Sequence, residues 1–215
     1  MRLILMFVLI MCSSLLKAQG DTIVVAKRNL PDGSTETVKQ YQKNGRTYRV
    51  TFVDMPVMNK PINPDTLNKD SVVLVVDKAK YKMYVYYKNK PIKVYKVVFG
   101  PKPLEDKKME GDRCTPEGCF TIKQMYQHKE WNKFMLFDYP NESSLKKFND
   151  RKAKGLIPVS AAIGNSIGIH GVWKNADQVI DEKHNWTDGC VSMKNKDVEE
   201  LFTLVKVGTK IYIRK

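Results

Sequence analysis

The chain has 215 residues, 37 Lys and Arg against 23 Asp and Glu, and a formal net charge of +14. That length sets one or two domains with enough apolar residues for a real core. The positive surplus implies anionic surroundings, but the lysines are scattered rather than gathered into a stripe, which argues against nucleic acid as the partner.

Residues 1–18 read as a secretory signal: Arg2 at the start, an apolar run over 3–11, and the small residues Ser13, Ser14 and Ala18 before a cut after Ala18. The run is shorter than the roughly 20 apolar residues a spanning helix needs. No second apolar span follows it, so the mature chain is expected to be exported, to the periplasm or cell envelope, without a transmembrane span. The sequence Leu9-Ile10-Met11-Cys12 is a poor lipoprotein box because of Met11. Residues 19–54 form a small β-element, with β-branched Thr22 to Val25, a turn at Asn44-Gly45 and partial alternation over 47–52. Pro56, Pro61 and Pro64 mark residues 55–70 as a linker.

The main domain, 71–215, opens with strands. Residues 72–76 are a continuous apolar run, as for a strand buried on both faces. Residues 81–86 and 92–98 read as a hairpin turning at 88–90, with tyrosines as packing residues. A charged loop follows over 100–111, then strands at 119–122 and 134–139. Residues 144–154 read as a helix capped by Ser144, with apolar Leu145 and Phe148, and stopped at Gly155. Residues 166–171 are a strand, and 172–186 a polar loop with one helical turn at 176–180. Asn195 caps a short helix with Val198, Leu201, Phe202 and Val205 on one face, Gly208 ends it, and 210–213 is the last strand. The fold class expected is mainly β: a mixed, sandwich-like sheet with a few short α-helices.

Loss of Cys12 with the leader leaves Cys114, Cys119 and Cys190, an odd count. Cys114 and Cys119 flank Thr-Pro-Glu-Gly, a turn sequence, and export favours a bond between them over two separate thiols. Three scattered histidines and no other close ligand pair predict no metal site, and no phosphate-binding glycine loop predicts no cofactor. His184 and His128 lie among polar neighbours and are expected at the surface. Trp173 and Trp186 line a groove or pack beneath the loop.

His170 and Cys190 are the chemistry-bearing pair. A thiol with a pKa of about 8.5 is mostly protonated at neutral pH, and an imidazole in reach makes it a nucleophile. Gly189 lets the backbone turn tightly before the cysteine and aim N–H groups at an oxyanion. Taken alone, such a pair is more often a buried small residue and a structural histidine.

The surroundings of the pair change that balance. Ile169-His170-Gly171 followed by Thr187-Asp188-Gly189-Cys190-Val191 resembles the signature of the L,D-transpeptidase (YkuD) catalytic domain. Gly111-Asp112-Arg113-Cys114-Thr115-Pro116-Glu117-Gly118-Cys119-Phe120-Thr121-Ile122 is similar to a second block of that family, and Tyr139-Pro140-Asn141 lies between the two. Many members have His where this chain has Asp188, and Arg where it has Ser192; Asp188 suggests a branch that includes enzymes acting on the link between wall and attached protein. The resemblance implies a cysteine acyltransferase acting on peptidoglycan stem peptides, with Cys190 as nucleophile and His170 as base. It further implies Gly189 at the oxyanion, and Asp188 or a carbonyl near Gly171 orienting the imidazole. Two rival outcomes are an L,D-peptidase with water as acceptor, and a non-catalytic wall-binding module.

Overall fold

The computed structural model describes residues 23–29, 35–43, 45–54 and 62–215. The expected leader, Cys12, the cut after Ala18 and the first part of the linker lie outside them. The chain divides into two compact units, with the division at residues 56 and 57.

The first unit is a three-stranded antiparallel sheet of β1 (Ile23–Asn29), β2 (Thr35–Lys43) and β3 (Arg46–Asp54), in that order. The sequence pattern points to the outer two strands. β2 has few apolar residues and is defined by pairing on both sides, Val38 facing Ala26 in β1 and Thr51 in β3. Gly45 at φ +70° makes the turn between β2 and β3, and Tyr41 stacks on Tyr48 across that pair at 5.3 Å.

The second unit contains β4 (Val72–Asp77), β5 (Lys82–Tyr87), β6 (Lys90–Val98), β7 (Gly118–His128), β8 (Asn132–Phe137), α1 (Glu142–Ala153), β9 (Gly168–His170), α2 (Gln178–Asp181), β10 (Val191–Met193), α3 (Asn195–Leu204) and β11 (Lys210–Arg214). Its strands close in the order β10-β6-β5-β4-β11-β7-β8-β9. The mainly β expectation therefore holds, with the mixed sheet closed into a barrel that leaves no free edge. Two pairings are parallel, β11 with β4 and β10 with β9. Leu74, Val76, Met83, Val85, Val97, Phe120, Ile122, Met135, Ile169, Val191, Met193 and Ile211 fill the interior. Each such side chain contributes about 1.5–3 kcal/mol on leaving water. α3 adds Val198 and Leu201 to the same core.

Three local expectations are corrected. The cap of α1 is Asn141, whose side chain accepts from the Ser144 N–H, and Leu145 is exposed while Phe148 is buried. Asn195 does not cap α3; its side chain is turned towards the His170 strand. Cys114 and Cys119 are thiols rather than a disulfide. The Cys114 thiol is buried and donates to the carbonyl of Asp112 at 3.4 Å, whereas Cys119 belongs to β7, in register with Tyr212. The intervening Thr-Pro-Glu-Gly thus joins a loop to a strand rather than closing a small ring.

Candidate active site

β9 is three residues long and lies between β8 and β10. Ile169 points into the barrel core, so by strand alternation His170 points to the opposite face. A slip of one residue would exchange them, which is why burial of Ile169 fixes the direction of the histidine. The parallel register sets Ser192 beside His170 and Val191 beside Ile169, which brings Cys190 next to Gly168. The loop of residues 171–189 therefore returns the cysteine to the strand that carries the histidine.

His170 is 1% exposed. Trp131 lies against the ring at 4.7 Å, Phe134 at 5.4 Å, and Trp186 meets it edge-on at 5.4 Å. Nδ1 lies 2.7 Å from the carbonyl oxygen of Gly171. A carbonyl only accepts, so Nδ1 carries the proton and Nε2 keeps its lone pair. Burial in this aromatic box disfavours the imidazolium and lowers the pKa to about 4, against the opposing effect of the Gly171 carbonyl.

The Gly171 carbonyl is itself held. Ser192, fully buried, donates its hydroxyl to the same oxygen at 3.1 Å. The Gly171 N–H donates to the Trp131 carbonyl at 3.0 Å, and Asn195 Oδ1 accepts from the Val172 N–H at 3.3 Å. A side chain at Gly171 would collide with Asn195 Oδ1 and the Trp131 carbonyl. Ser192 occupies the place where the resemblance has arginine, and here it secures the histidine's partner.

Cys190 is partly buried, and its thiol donates to the Ser166 carbonyl at 3.5 Å. Burial raises its pKa to about 11, against the opposing effects of the Gly168 N–H and of Lys107. The turn before it is built by Thr187, which donates to the Cys190 carbonyl at 2.7 Å and accepts from the Gly189 N–H at 3.3 Å. Gly189 has φ +131°, and a Cβ there would lie 2.7 Å from the Cys114 carbonyl oxygen. The second motif block thus packs directly under the cysteine turn. That block is tied down in turn by Asp112, which accepts from the N–H groups of Lys108, Met109 and Cys114 and pairs with buried Lys107 at 3.0 Å. Lys78, fully buried, holds the carbonyls of Glu105 and Thr115 and the Glu117 carboxylate.

His170, Gly171, Gly189 and Cys190 are brought together on β9, β10 and the turn before β10. Asp188 is not on the imidazole: its side chain is 88% exposed and pairs with Arg113 at 2.8 Å. His184 is exposed, as expected. His128 is half-buried instead, stacked on Trp131 at 4.5 Å and accepting from the Trp131 N–H through Nδ1. Trp173 is 44% exposed and meets Trp186 edge-on. Trp131, Phe134, Ser192 and Asn195 were not legible as site residues. Thr187 belongs to the motif, and its role in shaping the turn emerges only from its two hydrogen bonds. Among the described residues no cluster of His, Cys, Asp and Glu is arranged to hold a metal.

An eight-stranded barrel with a cysteine turn set against a buried, oriented histidine defines the class of domain. Residues 71–213 match the L,D-transpeptidase catalytic domain (YkuD), and the chain belongs to that family. Among solved structures, it is similar to the helical cell shape determining protein Pgp2 from Campylobacter jejuni, at 20% identity and a TM-score of 0.51, over 67% of this chain and 48% of that one. It is also similar to an L,D-transpeptidase from Enterococcus faecium, at 17% identity and a TM-score of 0.43, over 66% and 49% of the two chains. A third is an L,D-transpeptidase from Mycobacterium tuberculosis, at 11% identity and a TM-score of 0.45, over 83% and 66%. The chain spans about half the length of the first of these structures. No curated protein matches it. No helix among the described residues is long and apolar enough to cross a membrane.

Proposed function

We propose that the protein is an exported cysteine acyltransferase of the L,D-transpeptidase type, acting on peptidoglycan stem peptides. Under this reading residues 1–18 are a removed leader, 19–54 an accessory β-element, 55–70 a linker and 71–215 the catalytic domain. The observation that carries it is the His170 Nδ1 bond to the Gly171 carbonyl, which leaves Nε2 as an unprotonated base in a site shared with the cysteine. Nε2 takes the thiol proton as Cys190 Sγ attacks the carbonyl of the donor's diamino residue. A carbon–sulfur bond forms, and the bond to the terminal D-residue's nitrogen breaks. The proton on Nε2 passes to that leaving amine. An acceptor amine then attacks the thioester, gives its proton to His170 and releases the thiol. Because the Gly189 N–H is engaged by Thr187, the Cys190 N–H is assigned to the oxyanion. Asp188 acts through Arg113 on the shape of the turn rather than on the base.

Incubation with a defined stem peptide, with and without an acceptor amine, tests the proposal by the masses of the products. Transfer product with the amine supports it, and shortened donor alone assigns the peptidase outcome instead. A carbapenem, to which the family resemblance points, should open on Cys190 and add its mass to that peptide, and Cys190→Ser should lose the adduct. Neither turnover nor adduct in folded protein would leave only the wall-binding module.

A further inference from the structure

The C-terminal end of α1 presents two aliphatic side chains to solvent. Gly155, at φ +65°, closes the helix, and the N–H groups of Gly155 and Leu156 donate to the carbonyls of Lys152 and Arg151 at 3.0 and 2.9 Å. In a cap of this kind the residue at the place of Leu156 often packs back on the helix. Here it is 66% exposed, while the next residue, Ile157, is buried and anchors the loop. The Ala161 N–H donates to the Pro158 carbonyl at 3.0 Å, which sets Val159 on a tight turn, 85% exposed. Leu156 and Val159 are the two most exposed large apolar side chains among the described residues, yet both stand on hydrogen-bonded backbone.

The charge beside them is positive. Lys154 is exposed two residues before Leu156, and Lys152 lies over the Phe148 ring at 4.8 Å. Arg151 turns inward to Asp106 and the Lys107 carbonyl, and Lys146 pairs with Asp150. No Asp or Glu occurs in sequence between Asp150 and Asp177. The fold brings Glu110 to the far end of the loop, where its N–H donates to the Ala162 carbonyl at 2.8 Å. We infer that this protrusion is a docking tip for an anionic phospholipid surface. Leu156 and Val159 enter the boundary between headgroups and acyl chains, and Lys152 and Lys154 meet the phosphates. A protein partner needs about 800 Å² of matching surface on each side, and two aliphatic side chains at one turn supply only a part of that. A bilayer needs no matching pocket, and a shallow apolar tip among lysines suits it. Ser166, whose carbonyl accepts from the Cys190 thiol, follows Val159 by seven residues, a span of at most about 25 Å. Docking at the tip therefore holds the cysteine close to the leaflet it binds.

Flotation of the exported chain, from Gln19, with two kinds of vesicle tests this: phosphatidylglycerol and phosphatidylcholine in equal parts, and phosphatidylcholine alone. No turnover is read, so the outcome is separate from that of the acyltransferase reading. The anionic vesicles should bind the chain about tenfold more tightly than the neutral ones. Leu156→Ser combined with Val159→Ser should lower that binding about tenfold and leave the thermal melt unchanged, since both side chains are exposed. Lys152→Gln and Lys154→Gln should each lower it about fivefold, an effect that about 0.5 M salt erases. Val207→Ser, which removes a 56% exposed aliphatic side chain from the turn between α3 and β11, should change nothing. No binding by the wild-type chain, binding that survives loss of both aliphatic side chains, or an equal loss in Val207→Ser overturns the inference. So does a wild-type dimer that the serine pair dissociates while vesicles stay unbound, since the occupant is then a second copy of the chain. Should the serine pair not fold, Val159→Trp decides: emission shifted to the blue on the anionic vesicles upholds the docking tip, and unshifted emission ends it.

Discussion

The resting protonation of the Cys190 and His170 pair gives a sharp test. Burial puts the thiol at about 11 and the imidazole at about 4. At pH 7 about one sulfur in ten thousand is then thiolate, against about three in a hundred for an ordinary thiol. The resting pair is therefore a neutral thiol beside a neutral base, not a thiolate beside an imidazolium. Alkylation of Cys190 by iodoacetamide, followed by the mass of its peptide, should rise about tenfold per pH unit between pH 7 and 10 with no plateau near neutrality. Acylation by a stem peptide or carbapenem should instead be nearly flat from pH 6 to 8, because Nε2 removes the proton during attack. His170→Ala should slow acylation by about 10²- to 10⁴-fold, and raising the pH should restore it about tenfold per unit. A wild-type alkylation plateau from pH 5 to 8 that disappears in His170→Ala would refute the reasoning, since only a preformed ion pair produces it.

Stability should follow the same buried histidine. Folded His170 takes a proton near pH 4 and unfolded His170 near 6.5, so the unfolded state binds more protons between them, and its contribution of about 3 kcal/mol is lost as pH falls from 6.5 to 4. Urea unfolding at pH 7 and pH 4.5 measures this, and the difference should shrink in His170→Phe. Gly189→Ala forces a Cβ to 2.7 Å from the Cys114 carbonyl at φ +131° and should cost about 3 kcal/mol and most of the activity. Gly111→Ala, at φ +76° with open space around it, should cost about 1 kcal/mol and leave activity intact. Lys78→Met strands the Glu105 and Thr115 carbonyls and the Glu117 carboxylate and should lower stability by about 3 kcal/mol in thermal melts. N-terminal sequencing of the exported protein should begin at Gln19; a start at Met1 would reject the leader.

Strands β4, β5 and β6 and helix α3 were legible because their signals are local. The continuous apolar run of 72–76, the hairpin arms at 81–86 and 92–98, and the i, i+3, i+4, i+7 spacing of Val198, Leu201, Phe202 and Val205 depend only on neighbours in the chain. The resemblance of the two motif blocks to a known family singled out His170 and Cys190, which taken alone read as a structural histidine and a buried small residue. Tertiary structure decided the rest. Closure of the barrel needs β10 on β6 and β11 on β4, pairings between segments far apart in sequence that leave no periodicity to read. The aromatic box around His170 takes Trp131 from the end of the β7–β8 turn, Phe134 from β8 and Trp186 from the returning loop. Ser192 reads as a missing arginine in sequence, yet the parallel register of β10 with β9 sets it beside His170 and on the Gly171 carbonyl. The sequence could name the base, but its low pKa comes from burial and its tautomer from the Gly171 carbonyl, which is fixed by Ser192 on β10 while the flanking backbone is held by the β7–β8 turn and α3, parts that exist together only once the barrel has closed.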